Sequence, residues 1–211
     1  MIKSIGYNQE EIIRDILVLH NGGAGIEVDI TYSIGNFYKK GIVEQPVYKF
    51  DKYPKAEDIR QLESVLPFEN NSIQSIMCDL PFVISKGPSL SENIEGQNIT
   101  HNRFGSFENP TELFTCYEHW INESFRVLKP NGILIFKCQD QISSGKNYTI
   151  SYFSMDRAIK AGFNIRDCFI LLAKQRITSG KWINQFHSRK WHSYFYCFKK
   201  ERGIDYNKRI I

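Results

Sequence analysis

The sequence predicts a single α/β domain built on a mostly parallel sheet, and three observations carry that prediction. Short apolar runs end abruptly at a carboxylate: residues 26–30 hold Asp29 near their end, residues 47–50 stop at Asp51, and Ile76-Met77-Cys78 stops at Asp79. Such runs are the signature of strands buried on both faces, whose side chains have no wet side on which to alternate. Between and after these runs lie amphipathic stretches with helical spacing. At 211 residues the chain is long enough for one sizeable core and short for two, so residues 1–211 read as one domain.

Composition narrows the class. Hydrophobic residues at 42% and charged residues at 24% suit a folded globular protein rather than a disordered or fibrous one. A net charge of +4 permits an anionic partner without demanding one. Five cysteines, Cys78, Cys116, Cys138, Cys168 and Cys197, form no CxxC pair, and four sit in apolar runs. They read as reduced core thiols, with no metal site expected. No stretch reaches the length of a membrane span and the N-terminus lacks the apolar core of a signal peptide, so the expected location is cytoplasmic, with no membrane partner. The polar tail, residues 199–209, is expected to fray.

Taken in order, Asn8 followed by Gln9-Glu10-Glu11 and by Ile12, Ile13, Ile16, Leu17 and Leu19 makes a capped amphipathic helix that stops at Asn21-Gly22-Gly23. Residues 26–30 form a strand. Thr31-Tyr32-Ser33-Ile34-Gly35-Asn36-Phe37 reads as a turn into a short helix, which is either a plain connection or a place where backbone approaches a nucleoside-like ligand. Its single glycine does not make a dinucleotide fingerprint, so a nicotinamide cofactor is unsupported. Asp51 ends the next strand. There it is either a solvated turn residue or an acid whose two oxygens accept from both hydroxyls of a ribose.

Residues 73–78 form the central strand, and Asp79-Leu80-Pro81-Phe82 sits beyond its carboxyl end, where ligands gather in open α/β sheets. Alone, the tetrapeptide also reads as an ordinary turn. Residues 83–109, rich in Ser, Asn and Gly, read as a mobile active-site loop. A helix follows from Pro110 or Thr111 to Leu128, with Leu113, Phe114, Tyr117, Trp120, Ile121 and Phe125 on its apolar side. Then come a strand at 133–138, a polar loop, a short helix at 154–161, and final strands at 165–173 and 194–198. Residues 174–193 link those last strands. From Lys174 to Lys200 the chain carries Arg176, Lys181, Arg189 and Lys190 among its basic residues, interleaved with Trp182, Phe186 and Trp191, and no acid. That pattern suits a polyanion whose phosphates are neutralised and whose bases stack; a solvated hairpin with extended lysines is the alternative.

The order of these elements, closing with Leu128-Lys129-Pro130-Asn131-Gly132 before a strand, resembles the class I S-adenosylmethionine-dependent methyltransferases. Asp79-Leu80-Pro81-Phe82 is similar to the (Asp/Asn/Ser)-Pro-Pro-(Tyr/Phe/Trp) motif of amino-methyltransferases acting on DNA bases. The resemblance spans roughly residues 8–199. It implies a Rossmann-like, mostly parallel seven-stranded sheet with helices on both faces and an antiparallel C-terminal hairpin. It also implies S-adenosylmethionine as cofactor, held by Asp29, Thr31, Ser33, Gly35 and Asp51. The helix after Asn8 would flank that pocket. Two positions depart from the pattern: Leu80 replaces a proline, and Ser33 stands where a glycine is usual.

What the resemblance implies for Asp79, Leu80, Pro81 and Phe82 is a clamp for an exocyclic amine. The Asp79 carboxylate and Leu80 carbonyl accept its hydrogens, Pro81 stiffens the turn and Phe82 stacks on a flipped base. Motif order is similar to the adenine-N6 enzymes, with DNA as partner and Arg176, Lys181, Arg189 and Lys190 as its contacts. The alternatives are a cytosine-N4 DNA or an RNA base amino-methyltransferase, or a nucleic-acid-binding pseudoenzyme. A chain of this size is expected to dimerise or to join a separate specificity subunit.

Overall fold

The first helix starts where Asn8 turns its side chain back to accept the Glu10 backbone N–H at 3.1 Å, and two glutamates in the first turn complement the helix dipole. It ends at Asn21, with the N–H of Gly23 reaching the Leu17 carbonyl at 3.0 Å and Gly22 and Gly23 at positive φ. The computed structural model describes residues 1–84, 106–174 and 186–201. Its elements are β1 (Ile5–Gly6), α1 (Gln9–His20), β2 (Val28–Asp29), β3 (Tyr48–Asp51), β4 (Arg60–Gln61), β5 (Ile73–Cys78), α2 (Pro110–Val127), β6 (Leu128–Cys138), β7 (Gln141–Ser143), β8 (Lys146–Tyr148), α3 (Ile150–Ala161), β9 (Asn164–Leu172) and β10 (His192–Lys199). The α2 cap is reciprocal: the Asn109 side chain accepts the Glu112 N–H at 3.0 Å and donates to the Glu112 carboxylate at 2.9 Å, with Pro110 at the first turn.

The sheet runs β1-β9-β10-β6-β5-β2-β3-β4. All pairs are parallel except those of β10, which lies antiparallel between β6 and β9. After β4 at one edge the chain returns to the far side of β2 to form β5, so strand order reverses between β2 and β5; in open α/β sheets ligands gather beyond the carboxyl ends at such a reversal. β6 shows how the sheet is sealed on both faces. Ile133 and Ile135 join Ile12, Ile13 and Ile16 of α1, whereas Leu134 and Phe136 join Tyr117 and Ile121 of α2 and Ala158 of α3. Alternation of side chains along a strand produces this division, and each fully buried Ile, Leu or Phe contributes about 1.5–3 kcal/mol by leaving water.

Several expectations need correction. The sheet has eight strands rather than seven, because Ile5–Gly6 pairs with Ile170 and Leu171 at the β9 edge. Residues 26–30 yield only the two-residue β2. The turn after it leads into no helix. Hydrogen bonds from Gly35 to Tyr32, Tyr38 to Gly35 and Gly41 to Tyr38 make successive turns, while the N–H groups of Lys40 and Ile42 donate to the buried Glu10 carboxylate. Glu10 thereby satisfies backbone that a helix would have paired with itself. The expected polar loop after Cys138 contains the β7–β8 hairpin, whose turn places Ser144 and Gly145 at φ 48° and 72°. The helix expected at 154–161 begins four residues earlier, where Asp140 accepts the Ser151 N–H at 2.9 Å. The start of the tail is also held. Lys200 exchanges backbone hydrogen bonds with the 131–132 turn, and its ammonium reaches Asn71 at 2.7 Å.

Arg126 fastens the loop before β5 to α2. Its guanidinium meets the Glu123 carboxylate through Nε at 2.8 Å and Nη2 at 2.5 Å, and donates to the carbonyls of Phe68 at 2.9 Å and Leu66 at 3.1 Å. Burial pushes the Glu123 carboxyl up, but the hydrogen bonds from Arg126 and from the Leu66 N–H outweigh it and hold the group below its ordinary value. Arg126→Met strips this carboxylate of its cation and leaves the Phe68 carbonyl without a donor, whereas the Leu66 carbonyl keeps the Phe68 N–H at 2.7 Å; urea denaturation is expected to show a loss of about 2 kcal/mol. A change within about 0.5 kcal/mol, the range of an ordinary surface substitution, would contradict the assignment.

Candidate functional site

Because β2, β3, β5 and β6 run parallel, their carboxyl ends bring Asp29, Asp51, Asp79 and Lys137 to one edge of the sheet. Asp29 lies beneath that edge, fully buried. Its Oδ2 accepts the Tyr38 hydroxyl at 2.7 Å, and its Oδ1 accepts the Thr31 N–H at 2.8 Å and the Thr31 hydroxyl at 3.3 Å. Burial raises the carboxyl to about 7 against the pull of the Tyr38 and Thr31 hydrogen bonds, with the Asp79 charge adding to the rise. Burial and the neighbouring Asp29 charge push the Tyr38 hydroxyl well up, which keeps it a donor. The Thr31 hydroxyl also accepts the Asp79 N–H at 2.7 Å, so one side chain ties the turn after β2 to the segment after β5. Asp29, expected to touch a cofactor, braces the turn from below through these hydrogen bonds.

Asp51 is placed differently. One oxygen accepts the Ser33 N–H at 2.9 Å and the other the Tyr53 N–H at 2.8 Å. Among the described residues each oxygen takes this one donor, which leaves a lone pair on each. Ser33 sits at φ 53° and Gly35 at φ 68°, so the position where a glycine is usual does adopt the left-handed conformation, here with a serine. At Gly35 a Cβ would lie 2.6 Å from the Tyr32 hydroxyl. The tyrosine ring stacks on Tyr38 at 5.6 Å, and Gly35 makes room for Tyr32.

In the Asp79-Leu80-Pro81-Phe82 segment, Asp79 Oδ2 receives the Lys137 ammonium at 2.8 Å. The Leu80 side chain is buried, and the Tyr117 hydroxyl donates to the Leu80 carbonyl at 3.3 Å and the Pro81 carbonyl at 3.2 Å. Burial pushes the Tyr117 hydroxyl well up, so it holds the turn as a neutral donor. Phe82 is half-buried against the apolar core. Lys137 and Tyr117 were not expected here. Lys137 left a signal, being the one charged residue in Ile133-Leu134-Ile135-Phe136-Lys137-Cys138; Tyr117 left none beyond its place on the apolar side of α2.

The rim is assembled from several segments. The β7–β8 hairpin holds residue 84 through Gln141 at 3.0 Å and Ser143 at 3.2 Å, and on its other side the His187 Nε2–H meets the Gly145 carbonyl at 2.9 Å. The Gln139 side chain donates to the Lys190 carbonyl at 3.4 Å, which sets Lys190 two residues along β6 and its continuation from Lys137. Arg189 and Phe186 are exposed, and Trp191 is 42% exposed. Arg176 and Lys181 lie outside the described residues, as does most of the 83–109 loop. Burial pushes the Cys78 thiol well up and Cys197 up to about 12, leaving both as neutral core groups. Among the described residues no cluster of three or more His, Cys, Asp or Glu side chains is placed to hold a metal. No helix among them is long and apolar enough to cross a membrane. A surface pocket of about 260 Å³ lined by Asn21, Glu27, Glu44 and Gln74 lies at the opposite ends of the strands, away from the three aspartates.

No protein-family model matches the sequence, and no curated protein matches it either. Solved structures do. One provisionally assigned as a sarcosine dimethylglycine methyltransferase from Galdieria sulphuraria superposes with a TM-score of 0.55 at 13% identity, over 92% of this chain and 86% of that one. An S-adenosylmethionine-dependent methyltransferase from Thermotoga maritima gives 0.50 at 14% identity, over 92% and 87%. The PvuII cytosine-N4-specific DNA methyltransferase gives 0.45 at 16% identity, over 64% of this chain and 44% of that one. The chain spans about half the length of the DNA methylases it matches. The strand order, the single antiparallel strand near one edge and the superpositions on the Galdieria and Thermotoga structures together give the chain the fold of the class I methyltransferases.

Proposed function

We propose that this chain transfers a methyl group from S-adenosylmethionine to the exocyclic N6 of adenine in DNA. The observation that carries the reading is the placement of Asp79 at the carboxyl end of β5, beside the reversal of strand order, with Oδ1 free of hydrogen bonds among the described residues. An exocyclic amine is a poor nucleophile because its lone pair is spread into the ring. Asp79 Oδ1 accepts one amine hydrogen and the Leu80 carbonyl, whose second lone pair remains after Tyr117, accepts the other. Drawing both hydrogens into the acceptor plane concentrates electron density on nitrogen. The carboxylate then stabilises the positive charge that grows there; as the N–C bond forms the C–S bond to the methyl group would break, leaving S-adenosylhomocysteine, and the surplus amine proton would pass to solvent. Phe82 offers its ring to the face of a base taken out of the duplex.

Whether the residues fit the cofactor rests on Asp51, and they do: its two backbone-anchored oxygens suit the ribose hydroxyls, and Ser33 in the left-handed conformation is pinned beside them. The bound cofactor supplies an electrophilic methyl group; Thr31 and Asp29 keep the turn that faces it in register with Asp79. Arg189 and Lys190, with the exposed Phe186 and Trp191, are the proposed contacts to the nucleic acid, together with Arg176 and Lys181 of the same segment.

The direct test is mass spectrometry of nucleosides after incubation with the cofactor and unmethylated DNA or RNA. N6-methyl-2′-deoxyadenosine from DNA is the expected product, and Asp79→Ala is expected to lower the rate at least about 100-fold with the circular dichroism spectrum unchanged. Methylcytosine, or a product from RNA alone, would replace the substrate assignment; an unaltered rate in Asp79→Ala would remove Asp79 from the chemistry. For the interface, the double substitution Arg189→Ala, Lys190→Ala is expected to weaken DNA binding and reduce the slope of log affinity against log salt by about 2. An unchanged slope would take these residues off the phosphate backbone.

A further inference from the structure

Between Ile133 and Cys138 every β6 side chain but one is apolar, and the exception is half-buried. Lys137 follows Phe136 as Asp79 follows Cys78, and Cys78 and Phe136 are register partners, so the lysine and the aspartate occupy neighbouring positions just past the β5–β6 ladder. The ammonium lies 2.8 Å from Asp79 Oδ2, 5.2 Å from the centre of the Phe37 ring and 5.7 Å from that of Phe195. Removing an ammonium from water is costly; the carboxylate and the faces of two rings offset that cost at this one position.

We infer that Lys137 is a positioning residue, whose ammonium grips Asp79 by Oδ2 and so fixes the carboxylate with Oδ1 turned to the substrate amine. The inference rests on the methyl-transfer reading for its purpose and on the geometry alone for its contact. Asp79 needs such a partner because of its surroundings among the described residues. Asp29 lies below it on β2 as a second carboxyl, and burial and mutual influence connect Asp79 with Tyr117 of α2 and with the thiols of Cys78 and Cys138. None of those groups brings positive charge. Lys137 does, and it also chooses which oxygen is taken. A carboxylate held by one oxygen to a fixed cation cannot rotate freely about its last bond, so the other oxygen has a defined direction.

Two variants separate charge from packing. Lys137→Met keeps an unbranched stem between Phe37 and Phe195 without the charge, and Lys137→Arg keeps the charge. The readout independent of turnover is the crystal structure of each variant in the cofactor-free form. The Asp79 carboxylate is expected to keep one orientation in Lys137→Arg and to rotate, or to occupy two orientations, in Lys137→Met. In turnover kcat is expected to fall about 10-fold in Lys137→Met, with KM for the cofactor unchanged, and to recover in Lys137→Arg. The same single Asp79 carboxylate orientation in wild type and Lys137→Met would overturn the inference. If the carboxylate loses its orientation while the wild-type protein methylates no base, the positioning role of Lys137 stands and the methyl-transfer reading falls.

Discussion

Asp29, a carboxylate with no exposed surface at the point where strand order reverses, is the constraint on which the rest of the site depends. A carboxyl group in that position is expensive unless donors meet it, and three do, two from Thr31 and one from Tyr38. Meeting them sets the path of the chain. Tyr38 must enter the core beside α1, which draws residues 31–41 into turns, and Thr31 must stand where its hydroxyl also takes the Asp79 N–H. The segment that follows β5 is therefore fixed by the turn that follows β2. Asp51 does the same for the upper part of that turn through Ser33.

Electrostatics then divides the three acids by role. Asp29 is sealed and saturated, and burial raises it to about 7. Asp51 is anchored by backbone yet keeps free lone pairs. Asp79 is joined to a lysine that is itself cushioned by aromatic rings. Three residues of one chemical type at three strand ends thus become a buried brace, a backbone-anchored acid and an ion-paired acid, through differences in burial and partners alone.

Much of this was legible in the sequence because the signals were local. Apolar runs that stop at Asp29, Asp51 and Asp79 marked three parallel strands and the edge they share. The Asn8 and Pro110 helix starts were equally plain. What was not legible depended on distance along the chain or on brevity. The Glu10 carboxylate that replaces helical bonding at Lys40 and Ile42 acts across some thirty residues, and no pattern within residues 31–42 reveals it. β1 and β4 are two residues each, too short for periodicity to register. The reach of Tyr117 to the carbonyls of Leu80 and Pro81 exists only once α2 lies on the sheet. Lys137 is the opposite case: a lone cation in an apolar strand was visible, and its partner was not.

The account turns on a cofactor held at the end of β3, and isothermal titration of the chain with S-adenosylmethionine tests it most directly. The account predicts one molecule bound per chain, with Asp51→Ala weakening binding at least about 10-fold through loss of its hydrogen bonds to the ribose. Absence of binding heat at millimolar cofactor across several temperatures, or equal affinity in wild type and Asp51→Ala, would contradict it.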